Sequence, residues 1–128
     1  MSVVSFKTDR GTAAAEEQTL RVELAAAYRV FAEFGWTETI FNHITARVPG
    51  PEHHFLINPF GLLYDQVTAS NLVKIDLQGR PVAPTEHKVN PAGFIIHSAF
   101  HMARADARCV IHWHSPAGMA IAQLADGL

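Results

Sequence analysis

VNPAGFIIHSAFHMARADARCVIHWHSPAGMA, residues 89–120, changes its periodicity twice. GFIIHSAFHMARAD, from Gly93 to Asp106, has the spacing of a helix of about 12 residues. ARCVIHWHS, from Ala107 to Ser115, is an apolar run that reads as a buried strand. PAGMAIAQL then opens another helix, with Pro116 in the first turn, where its missing N–H is no loss. A strand held between two helices calls for a sheet with helices packed on it.

Working back toward the N-terminus, EHKVNP reads as a loop ending at Pro91. VKIDLQGRPVA reads as a strand, a QGR turn and a second strand, and VTASNL as a short helix with Thr68 or Ser70 near its start. GLLYDQ is a turn. HFLINPF and FNHITARVP read as two strands of a hairpin, broken by Pro49-Gly50-Pro51. From Ala14 to Phe34 the spacing is helical: Leu20, Leu24, Tyr28 and Phe31 recur at steps of three and four and form a core stripe. Glu16 and Glu17 suit the start of that helix and Gly35 its C-terminal cap. Residues 1–13 are expected to be a loose, flexible arm and residues 14–128 a single domain. The order helix, antiparallel strands, helix, strand, helix argues for an α/β or α+β layered domain.

Composition narrows the function classes. A length of 128 residues with 48% hydrophobic and 17% charged residues suits one globular domain with a sizeable core. A net charge of −2 gives no broad positive field for nucleic acid or an anionic membrane. No apolar run is long enough for a transmembrane helix, and the first residues lack the pattern of a secretory signal. The lone Cys109 has no intrachain partner for a disulfide, which favours a reducing compartment, so a cytoplasmic location is expected.

The chain carries 8 histidines, at positions 43, 53, 54, 87, 97, 101, 112 and 114. His53 and His54 fall in a turn and read as solvated. His112 and His114 stand two apart on a strand, so their rings project to one face while Trp113 points to the other. Two imidazoles placed so can reach one metal ion, since zinc takes histidine nitrogens at roughly 2.0–2.1 Å. They can equally be structural rings, each with a hydrogen-bond partner. Spacing leaves both readings open. His97 and His101, four apart on a helix, share a face but lack the H-E-x-x-H pattern. They read as rings bonded across a core or subunit contact, with His101 near the helix C-terminus, where a charged ring meets a favourable dipole. Asn42, before its strand, can offer an amide to backbone or to a ligand. Gly61, beyond Asn58-Pro59, permits close backbone approach.

NHITARVP, FLINPFGLLYDQVTASNLVKIDLQG and the stretch from Val89 to Ala120 together resemble the class II aldolase/adducin family in order and spacing, from about Leu20 onward. The likeness is nearest to its adducin-like branch, bacterial members included. The resemblance implies a three-layer α/β/α sandwich around a mostly antiparallel sheet, here incomplete at its C-terminal end. It implies that His112 and His114 are ligands of a divalent metal, zinc by preference. It implies substrate-binding roles for Asn42 and Gly61, a small hydroxy-carbonyl or hydroxy-acid substrate, and homotetramers with sites between subunits.

Three departures bear on activity. The position of the family's catalytic acid/base falls on Gly93, and no Asp or Glu lies nearer than Glu86 on its N-terminal side. Positions that hold phosphate-binding hydroxyls in the enzymes read Pro91-Ala92 and Phe60 here, which disfavours a phosphorylated substrate. The family's remaining histidine ligand comes well after the H-x-H strand, whereas 14 residues follow His114 here. Only His97 and His101 are near enough in sequence to complete a site. The resemblance therefore supports two functions. One is a metal-dependent, lyase-like enzyme that cleaves or forms C–C bonds beside a carbonyl. The other is a non-catalytic adducin-like assembly or binding module.

Overall fold

The computed structural model describes residues 10–126; the expected arm at 1–13 lies outside them for its first nine residues. Its last four belong to the first helix, α1, which spans Arg10–Glu33. The helix ends as expected on Gly35, whose φ of 68° is the left-handed cap conformation, with Trp36 N–H bonded to the Phe31 carbonyl at 2.9 Å. Glu16 and Glu17 fall beyond the first turn. Glu17 instead accepts from Arg21 at 2.9 Å and from Lys74 at 2.7 Å, tying the helix to the sheet.

Four strands follow: β1 (His43–Arg47), β2 (Phe55–Ile57), β3 (Val73–Ile75) and β4 (Cys109–His112). All pairs are antiparallel, in the order β3-β2-β1-β4. The alternation of β1 sends Ile44 and Ala46 to one face, where they join Leu24, Tyr28, Leu56 and Val67 in the main core under α1. His43 and Thr45 go to the other face, under the second helix, α2 (Pro91–Ala103), and are just as buried. The polar side of this alternation therefore faces a helix, not water. A second apolar cluster, Phe55, Ile57, Val73 and Ile75, packs with Phe94 of α2. With helices on both faces the architecture is an α/β sandwich around an antiparallel sheet, as expected.

The Tyr28 hydroxyl joins the layers. It accepts from Ile44 N–H at 2.9 Å, and its one proton lies between two acceptors, the Ile44 carbonyl at 2.5 Å and Asn58 Oδ1 at 2.9 Å.

Three local expectations are corrected. VTASNL is not a helix: Thr68 and Asn71 bond each other's backbone N–H groups at 2.8 and 3.2 Å and close a turn. The short helix lies one segment earlier, a 3₁₀ turn at Tyr64–Gln66. The strand expected after the QGR turn is one bridge, Ile75 to Pro81, flanked by bonds from Asp76 N–H to the Arg80 carbonyl and from Val82 N–H to the Lys74 carbonyl, both at 3.0 Å. Finally, β4 is not a buried strand: among the described residues it lies at the sheet edge beside β1, and Cys109 and Ile111 are exposed. The last helix, α3 (Pro116–Ala122), starts as expected, with Ser115 Oγ accepting from Gly118 N–H at 3.1 Å.

Candidate functional site

His112 ends β4 and pairs across the sheet with His43 of β1. His114 lies two residues on, in the extended link to α3. Their Nε2 atoms face each other at 3.0 Å. His114 Nδ1 is 2.5 Å from Glu38 Oε2. A carboxylate can only accept, so Nδ1 carries a proton; in the neutral ring His114 Nε2 then accepts from His112 Nε2–H, and a metal ion could take the place of that shared proton. Trp113 turns to the α1 side and meets Phe31 edge-on, with ring centroids 5.8 Å apart. The expected same-face placement of the two histidines therefore holds, although His114 is past the end of the strand.

Glu38 sits in the turn between α1 and β1. Its backbone N–H donates to Asn42 Oδ1, and Asn42 Nδ2 donates to the His112 carbonyl at 3.3 Å. Asn42 is 1% exposed, so this buried amide holds the carboxylate-bearing turn and the end of β4 in one arrangement. Gly61 takes a φ of 94°, and a Cβ there would meet nothing within 4 Å. No hydrogen bond or ring contact joins it to the histidine pair among the described residues.

The His112–His114 pair suits a metal in its spacing: two nitrogens bound at roughly 2.0–2.1 Å in a tetrahedron stand roughly 3.3 Å apart. Among the described residues, no three His, Cys, Asp or Glu side chains are arranged around one metal position. His112 Nδ1 is buried without a hydrogen-bond partner among them. Burial, then the neighbouring His114 ring, lowers the pKa of His112, while Glu38 opposes this. A neutral imidazole is the form that binds a metal.

A second histidine group lies beside the pair, where His43 stacks on His112 at 5.1 Å between centroids. Thr45 Oγ1 is 2.8 Å from His97 Nδ1 and 2.9 Å from His101 Nε2. His97 Nε2 reaches His43 Nδ1 at 3.3 Å, and His101 Nδ1 reaches the Ala107 carbonyl at 3.2 Å. All four side chains are buried. Burial lowers the pKa of His43 to about 4, with the His112 ring adding to it. It lowers that of His97 to about 3, with the neighbouring imidazoles contributing. His101 is lowered too, chiefly by burial, against its bond to Ala107. The rings are neutral near pH 7, so His101 is not the dipole-stabilised cation that its place near the end of α2 suggested. Both nitrogens of His97 and of His101 are occupied within this cluster, so neither ring is free to complete a site at His112 and His114.

Glu38, His43 and Thr45 were not singled out by the sequence reading. His43 and Thr45 lie within NHIT, but their partners are on α2, more than fifty residues away. Glu38 carries no local signal at all; the β1–β4 register brings it to His114.

Residues 22–128 match the family model described as Class II Aldolase and Adducin N-terminal domain. A Caulobacter vibrioides protein described as an aldolase class 2 protein is 52% identical over 119 residues, which is 93% of this chain and 46% of that one. Alpha-adducin of Rattus norvegicus is 54% identical over 114 residues, 88% of this chain and 16% of the adducin. Among solved structures, L-fuculose 1-phosphate aldolase from Glaciozyma antarctica superposes with a TM-score of 0.79 at 37% identity, covering 94% of this chain and 48% of that one. This chain spans about half the length of the first of these relatives. No described helix is long and apolar enough to cross a membrane. The order of strands and helices, the H-x-H pair at the end of β4 and the match over 22–128 agree: the chain belongs to the class II aldolase and adducin N-terminal domain family.

Proposed function

We propose that His112 and His114 hold a divalent metal, zinc by preference, in a site that acts on a small hydroxy-carbonyl compound. The observation that carries this reading is the pair of facing Nε2 atoms, 3.0 Å apart, with Glu38 behind His114. Bound there, the ion would supply Lewis acidity to a carbonyl or hydroxyl oxygen during C–C cleavage or formation. Glu38 sets the tautomer of His114, and Asn42 holds Glu38 and His112 in register. Asn42 acts on the substrate site through that arrangement, and Gly61, by family likeness, lets a substrate approach the backbone closely. Two ligands are one short of the three that catalytic zinc sites normally take, so the proposal requires a third donor from outside the described residues. Activity is proposed for an assembled homo-oligomer, a tetramer by family likeness.

The test is zinc titration by calorimetry together with metal analysis of the intact protein. About one ion per site is expected, lost in His112→Ala/His114→Ala. A folded, intact protein that takes up no divalent metal would remove this reading.

A second reading has its own observation. A Cβ at position 93 would lie 2.5 Å from His43 Cδ2, so the start of α2 has no room for an acidic side chain while His43 stays in place. Together with the likeness to alpha-adducin, this favours a non-catalytic assembly or binding module. That reading predicts stable oligomers and no aldol cleavage across a panel of hydroxy acids and sugar phosphates. Metal-dependent turnover of any of them would count against it.

A further inference from the structure

The buried histidines form a chain of hydrogen bonds with one direction. The Ala107 carbonyl can only accept, so His101 Nδ1, 3.2 Å away, carries the proton. The neutral ring then has a bare Nε2, which accepts the hydroxyl proton of Thr45 at 2.9 Å. Thr45 has spent its one proton, so its oxygen accepts from His97 Nδ1–H at 2.8 Å. His97 Nε2 is therefore bare and accepts from His43 Nδ1–H at 3.3 Å. The chain ends at His43 Nε2, bare and without a hydrogen bond among the described residues. The reverse direction would set a bare His101 Nδ1 against the Ala107 carbonyl, two acceptors 3.2 Å apart with no proton between them.

That open end lies at the first turn of α2. A Cβ on residue 93 would stand 2.8 Å from His43 Nε2, 2.5 Å from Cδ2 and 2.9 Å from Cγ. The His43 ring cannot swing aside cheaply, because His97 holds it from below and His112 stacks on it. Gly93 is thus the only residue type that leaves the ring its place. The polar group at this corner of the site comes from β1, not from α2.

We propose that His43 is a ligand-contacting residue of the His112–His114 site, where its bare Nε2 accepts a hydrogen bond from a hydroxyl group of a bound compound. Thr45, His97 and His101 are positioning residues that hold it in that tautomer. The inference rests on reading the His112–His114 pair as the centre of a binding site.

Long-range ¹H–¹⁵N NMR of the intact, ¹⁵N-histidine-labelled protein at pH 7.5 reads the tautomers directly. His43, His97 and His101 should each carry the proton on Nδ1. In Thr45→Val the His97 and His43 signals should change tautomer or become mixed, while Thr45→Ser keeps the native pattern. A purely structural hydrogen-bond network would give the same tautomers, so the ¹⁵N shift of His43 Nε2 is also followed as glycolate, a small hydroxy acid, is added: a ligand contact moves it, and an unmoved shift at saturating glycolate would overturn the proposal. A His43 proton found on Nε2 in the unsubstituted protein would overturn the proposal, since the ring would then be a donor. Thermal melting supplies a second arm. Gly93→Ala should lower the melting temperature when His43 is present. In the His43→Ala background the same change should raise it, as glycine to alanine normally does within a helix. A neutral or stabilising Gly93→Ala beside native His43 would also overturn the proposal. Zinc titration is followed at the His112 and His114 signals instead, so failure of the metal reading appears there and not in the His43 tautomer.

Discussion

Two groups of histidines meet where His43 stacks on His112, and they are built on opposite principles. His43, His97 and His101 are buried around Thr45, and all but one of their six ring nitrogens have a hydrogen-bond partner. His112 and His114 lie at the edge strand, half-exposed, with two nitrogens turned toward each other and one carboxylate behind. The first group spends its polar atoms inside the fold, as burial demands. The second bonds its two Nε2 atoms only to each other, at the surface, where a metal could replace the proton they share. The difference shows why a local density of histidines does not by itself mark a metal site: what matters is which nitrogens are left over once the fold has used its share.

The contrast can be broken most forcefully at Thr45. Thr45→Val leaves His97 Nδ1 and His101 Nε2 unpaired in the interior and is expected to cost about 3 kcal/mol of stability, from about 1–3 kcal/mol per orphaned group. Chemical denaturation measures it, and a loss under about 1 kcal/mol would mean that the cluster is not a cooperative element.

Acid tests the same group. Folded His97 takes up its proton at about 3, against 6.5 for the ordinary ring. Between those values the unfolded chain binds more protons, so stability rises with pH there. His101, also lowered, acts in the same direction. Stability should be full above about pH 6.5 and decline as the pH falls toward 3, with the denaturation midpoint followed across that range. Thr45→Val, once folded, should shift that decline.

The exposed pair should respond in the opposite way. His112→Ala/His114→Ala is expected to abolish zinc uptake in calorimetry while costing under about 1 kcal/mol of stability, since little buried surface is lost. Glu38→Gln keeps both ligands but weakens the acceptor behind His114. Zinc affinity should fall about 10- to 100-fold, the usual effect of removing a partner of a ligand histidine. At the small end, Arg104→Ala removes an ion pair to Asp106 whose side chains are 67% and 70% exposed. No measurable change in the denaturation midpoint is expected, because solvent screens such pairs. A large effect there would blur the line between buried and exposed polar groups drawn here.

Much of the fold was legible. Apolar steps of three and four placed Leu24 and Tyr28 in the core, and the alternation of NHITAR placed β1. Pro116 marked the start of α3. Two elements differed from expectation, for different reasons. Whether a strand is central or at an edge depends on its neighbours, so β4, expected inside, lies at the edge among the described residues. VTASNL carried the composition of a helix start, yet Thr68 and Asn71 used their side chains on the backbone and closed a turn. The candidate site was half legible: the i, i+2 spacing of His112 and His114 announced a shared face, while Glu38 could not be linked to His114 before the β1–β4 pairing was known.

The sequence alone determined periods, the Gly35 and Pro116 helix ends and the family, because these depend on residues near one another and on the ordered match across most of the chain. It also settled that position 93 carries no acid. Only the tertiary structure decided what the histidines do. A hydrogen bond is satisfied or left open by groups far apart in the chain, and Thr45 meets His97 and His101 only when α2 lies across β1. The same packing set the His43 ring against Gly93, so the glycine is explained by a neighbour fifty residues away and not by its own helix.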